Sequence, residues 1–243
     1  MKTVAIIQAR MGSTRLPGKV MKDLAGAPML ERVVSRTRRA RLLESVLIAT
    51  STASADDIIE RESQRLGVEC FRGSETDVLD RYYRAASSLG TENIARVTSD
   101  CPLIDPTIID MTVAAFHREK PDYASCSLTR TYPRGLDTEV FTFEALQRAW
   151  QEAKEPYQRI HVTPYIYQHP ALFRLLPVTG ERDYSGHRWT VDTPEDLQFV
   201  RQIYSRLGPG DGFSWQEVLA LLANEPQLCR INQGIAQKAL HEG

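Results

Sequence analysis

The segment 4-VAIIQARMGSTRLPGKV-20 decides how the rest of the chain is read. Val4 to Ile7 is an unbroken apolar run, the composition of a strand buried on both faces in a parallel sheet. Arg10, Arg15 and Lys19 follow at once, set among Gly12, Pro17 and Gly18. In open sheets of this kind, ligands sit outside the carboxyl ends of the strands. A glycine-bearing turn there lets backbone N–H groups converge on phosphate oxygens. The Arg15 fork and the Lys19 point charge then suit a triphosphate.

Two better-known phosphate loops are excluded by spacing. Five residues separate Gly12 from Gly18 and Lys19, and Val20 comes next. A Walker A loop has a shorter gap and then Ser or Thr, and no G-x-G-x-x-G dinucleotide fingerprint is present.

Working outward, the pattern predicts further strands at 45–50, 68–71 and 93–98. Helices are expected at 28–39, 56–66 and 77–89. This β-α alternation argues for a parallel sheet covered by helices, with right-handed crossovers. Beyond 120 the alternation loosens. Strands are expected at 123–128 and 139–143, with a helix at 143–152, and the chain returns through 175–178 to a further strand that ends at Asp192. Thr193 caps the next helix with Pro194 at its first position, and Glu195 and Asp196 complement its dipole. Ser214 and Glu217 form a capping box for a last, leucine-rich helix. The fold class expected is α/β, Rossmann-like, with a mostly parallel sheet flanked by helices. One domain spans 1–243, with a small excursion at about 150–185 whose aromatic stretch from Tyr157 to Tyr167 is a plausible dimer interface.

Composition bounds the function. The 243 residues carry 42 % apolar and 25 % charged side chains and a net charge of −1, ordinary values for a globular protein. That balance gives no electrostatic footprint for nucleic acid or an anionic membrane. Cys70, Cys101, Cys126 and Cys229 are dispersed, with no C-x-x-C pair, and point to a reduced, cytoplasmic setting. No apolar run is long enough to span a bilayer.

The wording of the loop, from Ala5 to Lys19, resembles the signature of the sugar-acid cytidylyltransferases. It looks closest to the branch of spore-coat polysaccharide biosynthesis. The resemblance continues through 73-GSETDVLDRYYRAA-86, 97-VTSDCPLIDP-106, 134-RGLDTEVFTFEAL-146, 161-HVTPYIY-167 and 191-VDTPEDL-197. It implies the nucleotide-diphospho-sugar transferase fold, CTP and Mg2+ as co-substrates, release of pyrophosphate, a CMP-linked product and a homodimer. The acceptor implied is a small acidic sugar.

Site residues follow from the same resemblance. Arg10, Gly12, Ser13, Arg15 and Lys19 meet the phosphates, and Gln8, Ala9 and Arg10 approach the ribose and base. Asp100 and Asp192 match the family's metal-binding aspartates, which suits a hard cation that takes one or two carboxylates beside phosphate oxygens and water. One ion or two is equally allowed. Each aspartate has a plainer reading as well, Asp100 as a turn residue and Asp192 as a helix cap. On the acceptor side stand Arg134, Asp137 and Glu139, and His161 is either a base for the acceptor hydroxyl or a packing residue. Arg72 and Asp77 either border the base or serve locally, Asp77 as the cap of the following helix. The cluster Arg36, Arg38, Arg39 and Arg41 reads as the solvated end of the first helix. Two other functions remain open, a glycosyltransferase using a sugar-nucleotide donor and a catalytically silent nucleotide-binding protein.

Overall fold

The structure is a computed structural model that describes residues 2–240. In chain order it contains β1 (Thr3–Gln8), a small hairpin of β2 (Asp23–Leu24) and β3 (Ala27–Pro28), α1 (Met29–Arg38), β4 (Ser45–Ser51), α2 (Asp57–Leu66), β5 (Glu69–Gly73), α3 (Val78–Leu89) and β6 (Asn93–Thr98). It continues with α4 (Pro106–Glu119), β7 (Tyr123–Ser125), β8 (Glu139–Thr142), α5 (Phe143–Glu152), α6 (Pro156–His161), α7 (Pro164–Tyr167), β9 (Leu175–Pro177), α8 (Pro194–Leu207) and α9 (Trp215–Asn224).

The strands build one seven-stranded sheet in the order β5-β4-β1-β6-β8-β7-β9. Strands β5, β4, β1 and β6 run parallel, β8 is antiparallel to β6 and β7, and β9 is parallel to β7. The mostly parallel, helix-flanked sheet is therefore the one expected. Alternation along β1 shows why its apolar run is continuous. Ala5 and Ile7 face a core with Leu30 and Val33 of α1 and Val113 of α4, whereas Ile6 faces the opposite core with Leu79 and Tyr82 of α3.

The starts of three helices follow their sequence. Asp105 caps α4 by accepting from Thr107 N–H at 2.8 Å, and Pro106 fills the first helical position. This helix was absent from the elements expected above, although its cap and proline are plain signals. Thr193 caps α8 in a reciprocal box with Asp196, and Ser214 caps α9 with Glu217.

Three expectations are corrected. Residues 188–192 form no strand; they make a single parallel bridge, Arg134 with Arg188, while Trp189 and Val191 plug a third core against α8 and α9. Their apolar alternation is satisfied by that core without a ladder partner. The 153–173 segment is no detached excursion. It forms α6 and α7, and Val162, Tyr165 and Ile166 are buried in the same core as Tyr82 and Leu146, so these residues are spent within the chain. Arg36 is not solvated either. It is fully buried and donates to the carbonyls of Ile104 (2.6 Å), Asp211 (3.2 Å) and Phe213 (2.9 Å). Among the described residues, no helix is long and apolar enough to cross a membrane.

Candidate active site

The carboxyl ends of β1 and β6 open into a cavity of about 700 Å³, well within the range that holds a nucleotide-sized ligand. The loop after β1 forms one wall. Leu16 and Val20 are buried on either side of it and pin its ends. Gly18 adopts φ +63°, a left-handed conformation that glycine takes without strain, and from there the chain tightens into a 3-10 turn over Lys19–Met21. The Gly18 N–H donates to the Met11 carbonyl at 3.2 Å, and Met11 N–H donates to Asp56 at 2.7 Å. These bonds hold the loop folded back so that Arg15 and Lys19 face the cavity.

Two more segments meet Lys19. Its ammonium donates to Asp100 Oδ2 (3.0 Å), Asp192 Oδ1 (2.9 Å) and the Val191 carbonyl (2.8 Å). Backbone pairing sets this up, because Val191 N–H donates to the Asp100 carbonyl at 2.8 Å and so lays the two aspartates side by side. Asp192 also meets Arg15 (3.1 Å) and Arg188 (2.8 Å). Behind it, buried Asp196 accepts from Arg188 Nε, from Asn232 and from the N–H groups of Asp192 and Thr193. Asp196 therefore fixes the approach of Asp192 as well as capping α8.

Electrostatics follow from these contacts. Burial alone would raise the Asp100 carboxyl, but the Lys19 charge and the Thr98 hydroxyl bring it down from 3.8 to about 2. Burial pulls the Lys19 ammonium down, and the two carboxylates outweigh it and hold the group above its ordinary value. Both members of the pair are ionised at neutral pH.

The cavity gathers nearly all of the residues expected. Gln8, Ala9, Arg10, Gly12, Ser13, Arg15 and Lys19 line it from the first strand and loop, Asp100 and Asp192 from the two loops just described, Arg134 and Asp137 from the segment between β7 and β8, and His161 from the end of α6. Arg134 is positioned by backbone bonds to the 187–189 segment, with Arg134 N–H to the His187 carbonyl (3.0 Å) and Trp189 N–H to the Arg134 carbonyl (2.7 Å). Gly135 allows that approach at φ +113°; a Cβ there would stand 2.7 Å from Thr190 N. Asp137 pairs with Arg130, whereas Arg134 has no hydrogen-bonded carboxylate among the described residues. Burial, with Arg130 nearby, lowers the Arg134 guanidinium from its ordinary value.

Glu139 is the exception. It is buried away from the cavity, where it accepts from Tyr123 (2.6 Å) and Thr163 (2.8 Å) and pairs closely with Arg96. Arg96 in turn lines the cavity and donates to Gln8 Oε1 at 3.0 Å. The residue at the wall is thus Arg96, and Glu139 orients it; the sequence signal was the lone cation in the apolar strand β6.

Arg72 and Asp77 do not line the cavity. Arg72 binds the carbonyls of Ser51 and Ala53 together with Asp57 and Glu60, and Asp77 caps α3 and pairs with Arg159. His161 Nε2 lies 3.0 Å from the Leu240 carbonyl. A carbonyl only accepts, so Nε2 carries the proton and Nδ1 holds the lone pair. Burial and the Arg96 charge lower its pKa, leaving it neutral near pH 7. The 237–240 segment, which no sequence signal placed here, completes the rim.

Sheet, loop and opposed aspartates define a nucleotidyltransferase. More narrowly, the chain belongs to the cytidylyltransferase family, whose sequence profile, described as "Cytidylyltransferase", matches residues 4–226. It is 35 % identical to the spore coat polysaccharide biosynthesis protein SpsF of Bacillus subtilis, over 91 % of this chain and 94 % of that one. It is 38 % identical to an uncharacterized protein of Methanocaldococcus jannaschii over 100 % of this chain and 99 % of the relative. Among solved structures, a cytidylyltransferase from Leptospira borgpetersenii superposes with a TM-score of 0.91 at 32 % identity, covering 98 % of this chain and 100 % of the other. A CMP:2-keto-3-deoxy-manno-octonic acid synthetase complexed with CTP shares the fold, with a TM-score of 0.65 at 21 % identity, over 85 % of this chain and 100 % of the other.

Proposed function

We propose that this protein transfers a cytidylyl group from CTP to a hydroxyl of a sugar or sugar acid, releasing pyrophosphate and a CMP-linked sugar for surface polysaccharide assembly. The observation that carries this is the meeting of Arg15 and Lys19, from the loop after β1, with Asp100 and Asp192 from two other loops. In such a transfer the acceptor oxygen attacks the α-phosphorus, the bond to the bridging oxygen breaks, and pyrophosphate leaves with the electron pair. The protein's task is to align the two reactants and offset the spreading negative charge.

Lys19 and Arg15 supply the offsetting positive charge. Their cations pair with Asp100 and Asp192, and phosphate oxygens would compete for the same donors. The two aspartates are also the residues that would hold Mg2+, with phosphate oxygens and water completing its shell; bound there, the ion would neutralise phosphate charge. The donor set fits such an ion, because the two carboxylates meet at one ammonium and both line the cavity wall. Also on the cavity wall, Arg134 offers its fork to an acidic group on the acceptor, and neutral His161 can receive the acceptor's proton at Nδ1. All four cysteines are free thiols, which supports a reducing, cytoplasmic location.

The test is pyrophosphate release with each of the four ribonucleoside triphosphates and Mg2+ against a panel of sialic-type, octulosonic and simpler phosphorylated acceptors. Turnover with CTP, abolished in Asp100→Ala, is expected. CTP binding without turnover across the panel, or release of a nucleoside diphosphate from a sugar nucleotide, would overturn the assignment.

A further inference from the structure

Arg81, on α3, is only 1 % exposed, and its Nε and Nη1 atoms are buried with no hydrogen-bond partner. The other two buried arginines among the described residues are satisfied. Arg36 donates to three carbonyls, and Arg32 donates to the carbonyls of Leu24 and Ala25 and to Asp211. Arg81 differs in a second way, for it lines the cavity together with Val78, three residues earlier on the same helix. Its stem crosses β5 at Gly73, where a Cβ would come within 3.1 Å of Arg81 Cγ; the glycine leaves the passage open. Burial lowers the Arg81 guanidinium, as befits a cation enclosed without an ion-pair partner.

A guanidinium has five N–H donors and no acceptor, so only acceptor groups can complete this site. Topology says which part of a nucleotide arrives there. The loop carrying Lys19 follows β1, and Asp100 follows β6 on one side of it; Arg81 and Gly73 lie beyond β4, on the β5 side. With its phosphates at Lys19 and Asp100, a nucleotide lying across the strand ends extends its base toward Val78 and Arg81. Cytosine presents two neighbouring acceptors, O2 and N3. Uracil keeps O2 but turns N3 into an N–H donor, which would face another donor and leave both unpaired.

We infer that Arg81 donates to the O2 and N3 edge of the cytosine ring and so sets the preference of this site for cytosine over uracil. The inference rests on the CTP assignment above. Arg81 is here a specificity-determining residue and takes no part in bond making.

The experiment measures binding of CTP, UTP, 3-deaza-CTP and inorganic tripolyphosphate to the wild-type protein and to Arg81→Lys, with thermal melts to establish that the variant is folded. Wild type is expected to bind CTP about tenfold or more above both UTP and 3-deaza-CTP, whose N3 is replaced by C–H. In Arg81→Lys the CTP affinity falls by about tenfold or more and the CTP-to-UTP ratio collapses toward one, with tripolyphosphate binding unchanged. A folded variant that keeps the wild-type ratio would overturn the inference, and so would a parallel loss of tripolyphosphate, which would make Arg81 a phosphate ligand. If the variant does not fold, the 3-deaza-CTP comparison decides on wild type alone, and equal affinity with CTP sinks the idea. Wild type that binds UTP as well as CTP would instead bring down the CTP assignment itself.

Discussion

Lys19 is the residue on which three segments of the chain converge, and its replacement separates chemistry from architecture. Lys19→Met should lower the rate of pyrophosphate release by about 100-fold or more, the usual loss when a charge that meets the transition state is removed. It also leaves Asp100 and Asp192 facing one another without their shared cation. The pH dependence of the stability loss has a definite sign. Asp100 is held at about 2 against an ordinary 3.8, so the stability it contributes is present above the ordinary value and is lost as pH falls through about 2. Denaturant unfolding should therefore show wild type and Lys19→Met far apart at neutral pH and converging in acid. Glu139 makes the opposite case. Glu139→Gln should cost about 3 kcal/mol in a melting experiment, because Arg96 loses a buried partner. A direct acceptor ligand would instead change KM and leave stability nearly untouched. Both aspartates and the cations of the first loop were legible from type and position in the sequence. Glu139 was misplaced because sequence does not tell that it pairs with Arg96 on the adjacent strand and holds that residue from behind.

At the scale of elements, the parallel half of the sheet could be read almost residue by residue, since double-sided burial leaves continuous apolar strands bounded by turn residues. Strand β6 and helix α5 fall where the pattern puts them, at Asn93–Thr98 and Phe143–Glu152. The stretch at 188–192 misled for a physical reason. An extended segment that drives Trp189 and Val191 into a core has a strand's alternation whether or not a neighbour completes its hydrogen bonds. What holds this stretch is its pairing with Arg134, and Gly135 is the hinge of that pairing. Gly135→Ala should cost about 2 kcal/mol or more in thermal unfolding, from the positive φ and from the backbone clash at Thr190. It should weaken activity as well, because Asp192 follows on the same stretch. Gly208, also at positive φ but with nothing within 4 Å of its missing Cβ, serves as a control with only the conformational cost.

Over the whole molecule, tertiary contacts decided what local pattern left open. The arginines at the end of α1 look like a solvated face, yet they fasten the chain's later third. Arg36 reaches Ile104, Asp211 and Phe213 from the core and exposed Arg39 reaches Asp211, while exposed Arg38 lies on the carbonyls of Leu66 and Gly67. Arg36→Met should destabilise the fold by about 3 kcal/mol, leaving the buried carbonyls of Ile104 and Phe213 without this donor and Asp105 without its neighbouring cation. Scanning calorimetry is the direct measure. Such links join residues more than sixty positions apart, and no window along the sequence contains both ends. The two margins of the sheet carry a consequence of their own. On one side the outermost strand, β9, is three residues long and ends in Pro177, which has no N–H to offer a neighbour. On the other, β5 opens with exposed Glu69 and carries Arg72, which folds back onto Ser51 and Ala53. Neither margin invites another strand to continue the ladder, so the protein is guarded against fibre-like stacking at high concentration, and copies that associate must meet through helices and loops.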